Sequence, residues 1–161
     1  MALPRRIKMT PAQEERFRKL GCVSRSLIKL CELEGYGISI TDYCATFEHL
    51  FINQTDRYGE LEDSNFQKIA DSLPLPKNRI YSADYWSVKK YFDLVGKRVL
   101  GLSKINLNKG AIDIKKHCSV ILRMDQTEFE IWTSSQCGGD GKLILDQNEW
   151  NTKQFTALVF Q

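Results

Sequence analysis

The stretch Lys19-Leu20-Gly21-Cys22-Val23-Ser24-Arg25-Ser26-Leu27-Ile28-Lys29-Leu30 sets a cysteine directly after a glycine and at the head of a run with helical periodicity. Val23, Leu27, Leu30 and Cys31 recur at 3.6-residue spacing, which predicts a helix over 22–34 with one apolar face. Gly35 is well placed to stop it. Upstream, Thr10-Pro11-Ala12-Gln13 reads as an N-cap, a first-turn proline and a capping glutamine, opening a short helix that Gly21 breaks after Leu20. Cys22 therefore falls in the first turn of its own helix. Unpaired backbone N–H groups and the macrodipole at such an end favour the thiolate over the thiol. A cysteine there is either a packed core residue or a nucleophile, and a nucleophile needs a base.

Downstream, Thr41 is expected to cap a third helix running through Phe51, and Asp63-Ser64 and Ser82 to open two more over 65–73 and 83–95. Leu73-Pro74-Leu75-Pro76 separates the last two. The first 95 residues thus read as mostly helical. The pattern then changes to short apolar or alternating runs at 98–104, 117–124, 129–133, 143–145 and 155–160, separated by Asn, Gly and Asp. Cys137-Gly138-Gly139-Asp140-Gly141 and Asp125-Gln126 are the expected turns. Helices followed by strands without alternation predict an α+β fold, a helical N-terminal half packed on a C-terminal antiparallel sheet, in one domain over 1–161.

Composition narrows the function classes. Against 23 basic residues stand 20 acidic ones, interspersed, for a net charge of +3; this is too weak a balance to argue for nucleic acid. The one basic run, Arg5-Arg6-Ile7-Lys8, reads as a solvated tail. The five cysteines form no C-x-x-C pair, and an odd number cannot all pair within one chain, so free thiols and a cytoplasmic setting are expected. No apolar run has the length of a signal-peptide core or of a membrane span. No membrane partner is expected.

Two histidines are available as the base. His49 falls inside the third expected helix and reads as structural. His117 opens a strand directly after a polar segment, Asn106 to Lys116; a side chain at such a strand start is held rigidly yet lies beside a sheet edge, a good setting for a general base. Cysteine at a helix start followed by histidine at a strand start is the order of a thiolate–imidazolium pair.

In this order of elements the chain resembles the papain-like cysteine peptidase superfamily and, within it, the small double-glycine-leader (bacteriocin-processing) peptidases. The resemblance rests on Gly21-Cys22, on His117 with the strand Cys118 to Leu122, and on the hairpin into Glu128-Phe129-Glu130-Ile131-Trp132, and it extends over residues 19–150. It implies a papain-like fold and a cysteine peptidase or related amide hydrolase acting on a peptide or protein substrate, with Cys22 as nucleophile, His117 as base and no cofactor. Relatives carry a glutamine six residues before the cysteine to help hold the oxyanion; here that position is Arg16, and the nearest glutamine is Gln13. Relatives also place an Asp or Asn after the following strand to orient the histidine. Here the segment reads Trp132-Thr133-Ser134-Ser135-Gln136, which offers Ser134, Ser135 or Gln136 instead. The rival reading is a catalytically inactive papain-like module that binds a protein partner.

Other constellations are weaker. From His117-Cys118 to Arg123 the spacing is one residue short of a His-Cys-x5-Arg phosphatase loop, and Met124 stands where the arginine belongs. Cys22, His117, Cys118 and Cys137 lack the close-spaced pairs of a structural zinc site, so no metal is expected. Gly138-Gly139-Asp140-Gly141 lacks the strand-loop-helix context and the Lys-Ser/Thr of a phosphate loop. Tyr85, Trp86, Tyr91 and Phe92 have the spacing of a helix face and are expected in the core. Oligomeric state leaves no mark that these patterns reveal.

Overall fold

In the computed structural model, which describes residues 11, 20–51, 63–95, 98–103, 117–133 and 141–161, helix α1 (Cys22–Leu33) starts directly after Gly21, whose backbone is extended. Leu27, Leu30 and Cys31 line its buried face as expected, whereas Val23 is only half-buried and Ser24 and Ser26, which the apolar pattern did not include, are buried. Gly35 ends the helix at φ +88°. Tyr36 N–H donates to the Cys31 carbonyl at 2.8 Å and Gly35 N–H to that of Glu32 at 3.0 Å, the paired bonds of a Schellman stop, which needs the left-handed conformation glycine adopts without strain.

Helix α2 (Ile40–Phe47) is capped by Ser39, whose hydroxyl accepts from Asp42 N–H at 3.1 Å, so the start lies two residues before the expected Thr41. A 3-10 turn (Glu48–Leu50) follows. Helix α3 (Asp63–Ser72) completes the first of two compact units, Met1–Leu75 and Pro76–Gln161. Of the expected helix over 11–20, only Pro11, which is helical, and Leu20, in a β-bridge, lie among the described residues.

The second unit begins with a strand that the sequence pattern did not include. Strand β1 (Arg79–Ser82) precedes helix α4 (Tyr85–Val95). Asp84 caps that helix in place of Ser82: its carboxylate accepts from Ser87 N–H at 2.9 Å and from the Ser87 hydroxyl at 2.8 Å. Then come β2 (Val99–Ser103), β3 (His117–Met124), β4 (Glu128–Trp132), β5 (Lys142–Asp146), the short helix α5 (Gln147–Thr152) and β6 (Thr156–Phe160). Helix α5 is a further addition to the expected order. Asp146 and Glu149 form a capping box at its start, and that signal is present in the sequence. The described strands build one sheet in the order β1-β6-β2-β3-β4-β5, every pair antiparallel. The expected turn at Asp125-Gln126 joins β3 to β4, closed by Asp125 N–H donating to the Glu128 carbonyl at 2.7 Å.

One sheet face carries Val99, Ile121, Phe129, Ile131, Leu145 and Val159 and packs with Tyr85 and Val88 of α4 and Trp150 of α5. The rings of Tyr85, Phe129 and Trp150 meet edge to face with centroids 5.4–5.8 Å apart, and Trp150 stacks on Phe155 at 5.3 Å. Each such ring contributes roughly 1.5–3 kcal/mol by leaving water. Two hydrogen bonds fix the helices around this core: Trp150 Nε1 of α5 donates to the carbonyl of Ala83, just before α4, at 2.9 Å, and the Tyr85 hydroxyl of α4 lies 2.6 Å from the carbonyl of Asp125 in the β3–β4 turn. Tyr91 and Phe92 pack against the cluster as expected, whereas Trp86 is 48% exposed and lies outside it. On the other face Leu100, Val120, Leu158 and Phe160 are buried too, which is why β6 reads as a continuous apolar run.

Candidate active site

Cys22 is the first residue of α1. Its N-cap, Gly21, offers no capping side chain, and no acidic residue stands in the first turn to occupy the positive end of the helix dipole. Arg25 N–H donates to the Gly21 carbonyl at 3.1 Å, so the helix is wound from its first turn. The Arg25 guanidinium folds back to donate to the Leu20 carbonyl at 3.0 Å.

The four described cysteines are thiols in unequal settings. Cys22 is partly exposed, and Cys31, Cys44 and Cys118 are buried. Burial, reinforced by Glu34, pushes the Cys31 thiol up to about 11. Burial also pushes Cys44 up to about 12, with Glu48 adding and Arg25 opposing. At neutral pH both stay protonated, and their reactivity is low. Among these four, only Cys22 combines access to solvent with a helix N-terminus.

The first turn of α1 is tied to α2 by a contact absent from the sequence reading. Tyr43 donates its hydroxyl to the Ser24 Oγ at 2.9 Å, with both side chains fully buried. Burial drives the Tyr43 pKa upward; the hydrogen bond to Ser24 opposes that shift, and Cys44 and Cys31 add to it. Phe47 and Phe51 flank the Tyr43 ring at 5.1 and 6.1 Å between centroids. Ser24 lies two residues from Cys22, so this bond fixes the turn that carries the thiol.

His117 is the first residue of β3, as expected, and its backbone pairs with Ser103 of β2. Strand β3 lies inside the sheet between β2 and β4. Beyond His117, Cys118 and Ser119 are both fully buried, and the Ser119 hydroxyl has no hydrogen-bond partner among the described residues; nothing in the sequence pattern marks it. Cys22 belongs to the first unit and His117 to the second. Gln13, Arg16, Ser134 and Ser135 lie outside the described residues. Thr133, directly before the two serines, is buried and donates its N–H to the Gly141 carbonyl at 2.8 Å. Gly141 has φ +74°, and a Cβ there would lie 2.8 Å from the Thr133 carbonyl oxygen, so this corner accepts only glycine.

His49 lies in the 3-10 turn after α2 instead of within a helix, and it is exposed. Among the described residues no group of three or more His, Cys, Asp or Glu is assembled to hold a metal ion. No helix among them is long and apolar enough to cross a membrane.

No protein-family model matches the sequence, and no curated protein matches it. The fold does have likenesses among solved structures. A protein from Bacillus anthracis assigned as a C39-like peptidase superposes with a TM-score of 0.56 at 9% identity, over 88% of each chain. A variant of the Salmonella effector SpvD gives a TM-score of 0.42 at 9% identity, over 100% of this chain and 82% of that one, too distant to define the architecture. The likeness to the C39-like peptidase shows that this chain, with its helical N-terminal half and antiparallel C-terminal sheet, has a papain-like fold.

Proposed function

We propose that the protein is a cysteine peptidase or related amide hydrolase using Cys22 and His117, and that it needs no cofactor. The observation that carries this reading is the position of Cys22: partly exposed, first in α1, after a cap with no side chain. The Sγ thiolate attacks the carbonyl carbon of a peptide substrate. His117 takes up the thiol proton and returns it to the leaving amine, and water then hydrolyses the thioester. Backbone N–H groups at the helix start, that of Cys22 included, bind the oxyanion, with Gln13 or Arg16 assisting; one such donor contributes about 100- to 1000-fold in rate. Ser134 or Ser135 orients the imidazole.

A second reading, a papain-like module that binds a protein through the same region without cleaving it, is favoured by the arginine at position 16 and by the lack of a carboxylate over 132–136. Alkylation with iodoacetamide across pH 5–9, read residue by residue by mass spectrometry in wild type and His117→Ala, separates the two. The hydrolase reading requires Cys22 to react rapidly below pH 7 and to lose that reactivity in the variant. Reaction only as an ordinary thiol, near pH 8.5, refutes it.

A further inference from the structure

Strand β5 is the last strand of the sheet and pairs only with β4 among the described strands. The ladder between them has a definite phase. At one end Gln147 N–H donates to the Thr127 carbonyl at 2.9 Å, and at the other Thr133 N–H donates to the Gly141 carbonyl at 2.8 Å. Between these bonds the pairs that exchange hydrogen bonds are Phe129 with Leu145 and Ile131 with Leu143, so the N–H and C=O of Ile144 point away from β4 toward the open edge. Leu143 is 37% exposed and Ile144 52%, and Leu145 alone in the strand is buried. An open edge with apolar residues at its middle is a template for another strand.

The strand itself identifies that partner. Lys142-Leu143-Ile144-Leu145-Asp146 is its own antiparallel complement. About a twofold axis through Ile144, Lys142 faces the partner's Asp146, Leu143 faces the partner's Leu145, and Ile144 faces its own copy. Parallel pairing sets Lys against Lys and Asp against Asp. Moving the axis to Leu143 or Leu145 leaves both charges opposite apolar residues or outside the strand. The register through Ile144 is also the one in which its outward N–H and C=O bond reciprocally across the axis. Asp146 keeps its other duty there, since one carboxylate oxygen accepts from Glu149 N–H at 2.8 Å and the second remains for the lysine.

We infer that β5 is a homodimer edge, at which a second copy of this chain pairs antiparallel about Ile144 and joins the two sheets into one. Such an interface is isologous and closes at two copies. Sedimentation velocity and light scattering on the full chain test it. At high micromolar concentration the wild type is expected at twice the 18.6 kDa of one chain, and Ile144→Lys, which sets two cations on the axis, at the single mass with unchanged circular dichroism. Directly opposed residues in a hydrogen-bonded antiparallel pair have Cα atoms about 5.5 Å apart, within disulfide range. Ile144→Cys is therefore expected to cross-link two chains under mild oxidation, at position 144 by peptide mapping, which tests the axis even if the lysine variant fails to fold. A monomeric wild type at every concentration overturns the inference. So does a dimer that survives Ile144→Lys, or a cross-link that maps only to native cysteines.

Discussion

The bond between Tyr43 and Ser24 is the contact whose removal reports most directly on how the first turn of α1 is held. Ser24→Ala leaves the Tyr43 hydroxyl in a fully buried site without the acceptor 2.9 Å away, and a buried donor stripped of its partner costs roughly 1–3 kcal/mol. Tyr43→Phe removes the donor and keeps the ring between Phe47 and Phe51, so its cost is that of one hydrogen bond, about 0.5–1.5 kcal/mol. The double variant removes both polar partners together and leaves no tyrosine hydroxyl stranded. Its loss is therefore expected to fall short of the sum of the single losses by about 1 kcal/mol. Urea denaturation of the four proteins, with equal m-values as the check that the unfolded states match, yields this coupling. Additivity within about 0.5 kcal/mol refutes the reasoning, because it means that each side chain is held by something other than the other.

Alkaline pH provides a second test: Cys31 and Cys44, pushed by burial up to about 11 and about 12, well above an ordinary thiol, keep their protons in the folded state at pH values where the unfolded chain has lost them. A raised folded pKa gives stability that is intact below the unfolded value and falls as pH climbs toward the folded one. The melting temperature is thus expected to hold through pH 8 and to decline from about pH 9 upward, more shallowly in Cys44→Ala than in wild type once the baseline cost of the cavity is subtracted; identical slopes contradict the assignment. Third, Gln154 sits at φ +55° just after α5, where Phe155 N–H donates to the Trp150 carbonyl at 3.0 Å. This is the stop that Gly35 makes for α1, here built on a residue that strains to adopt it. Gln154→Gly is expected to stabilise the protein by about 0.5–1 kcal/mol, the conformational penalty relieved less the entropy added to the unfolded chain, and a lowered melting temperature counts against this account.

Local physics determined what the sequence by itself disclosed. Helix α1 announced its start, its apolar stripe and its stop because a helix-breaking glycine, 3.6-residue spacing and a left-handed glycine are properties of a dozen consecutive residues. The expected start of β3 at His117 and the turn at Asp125-Gln126 were legible for the same reason. Strand β1 escaped because four residues, two of them exposed, carry no period of their own; pairing with β6 makes them a strand. Helix α5 did carry its capping box in Asp146 and Glu149, but six residues are too short to display a stripe. Only the tertiary structure decided which buried polar groups meet. Ser24 and Tyr43 are 19 positions apart, and no spacing rule links a serine of one helix to a tyrosine of the next until both helices are packed. The same holds for the open edge of β5: its palindromic charges stand in the sequence, but sheet order and ladder phase alone make Ile144 face outward.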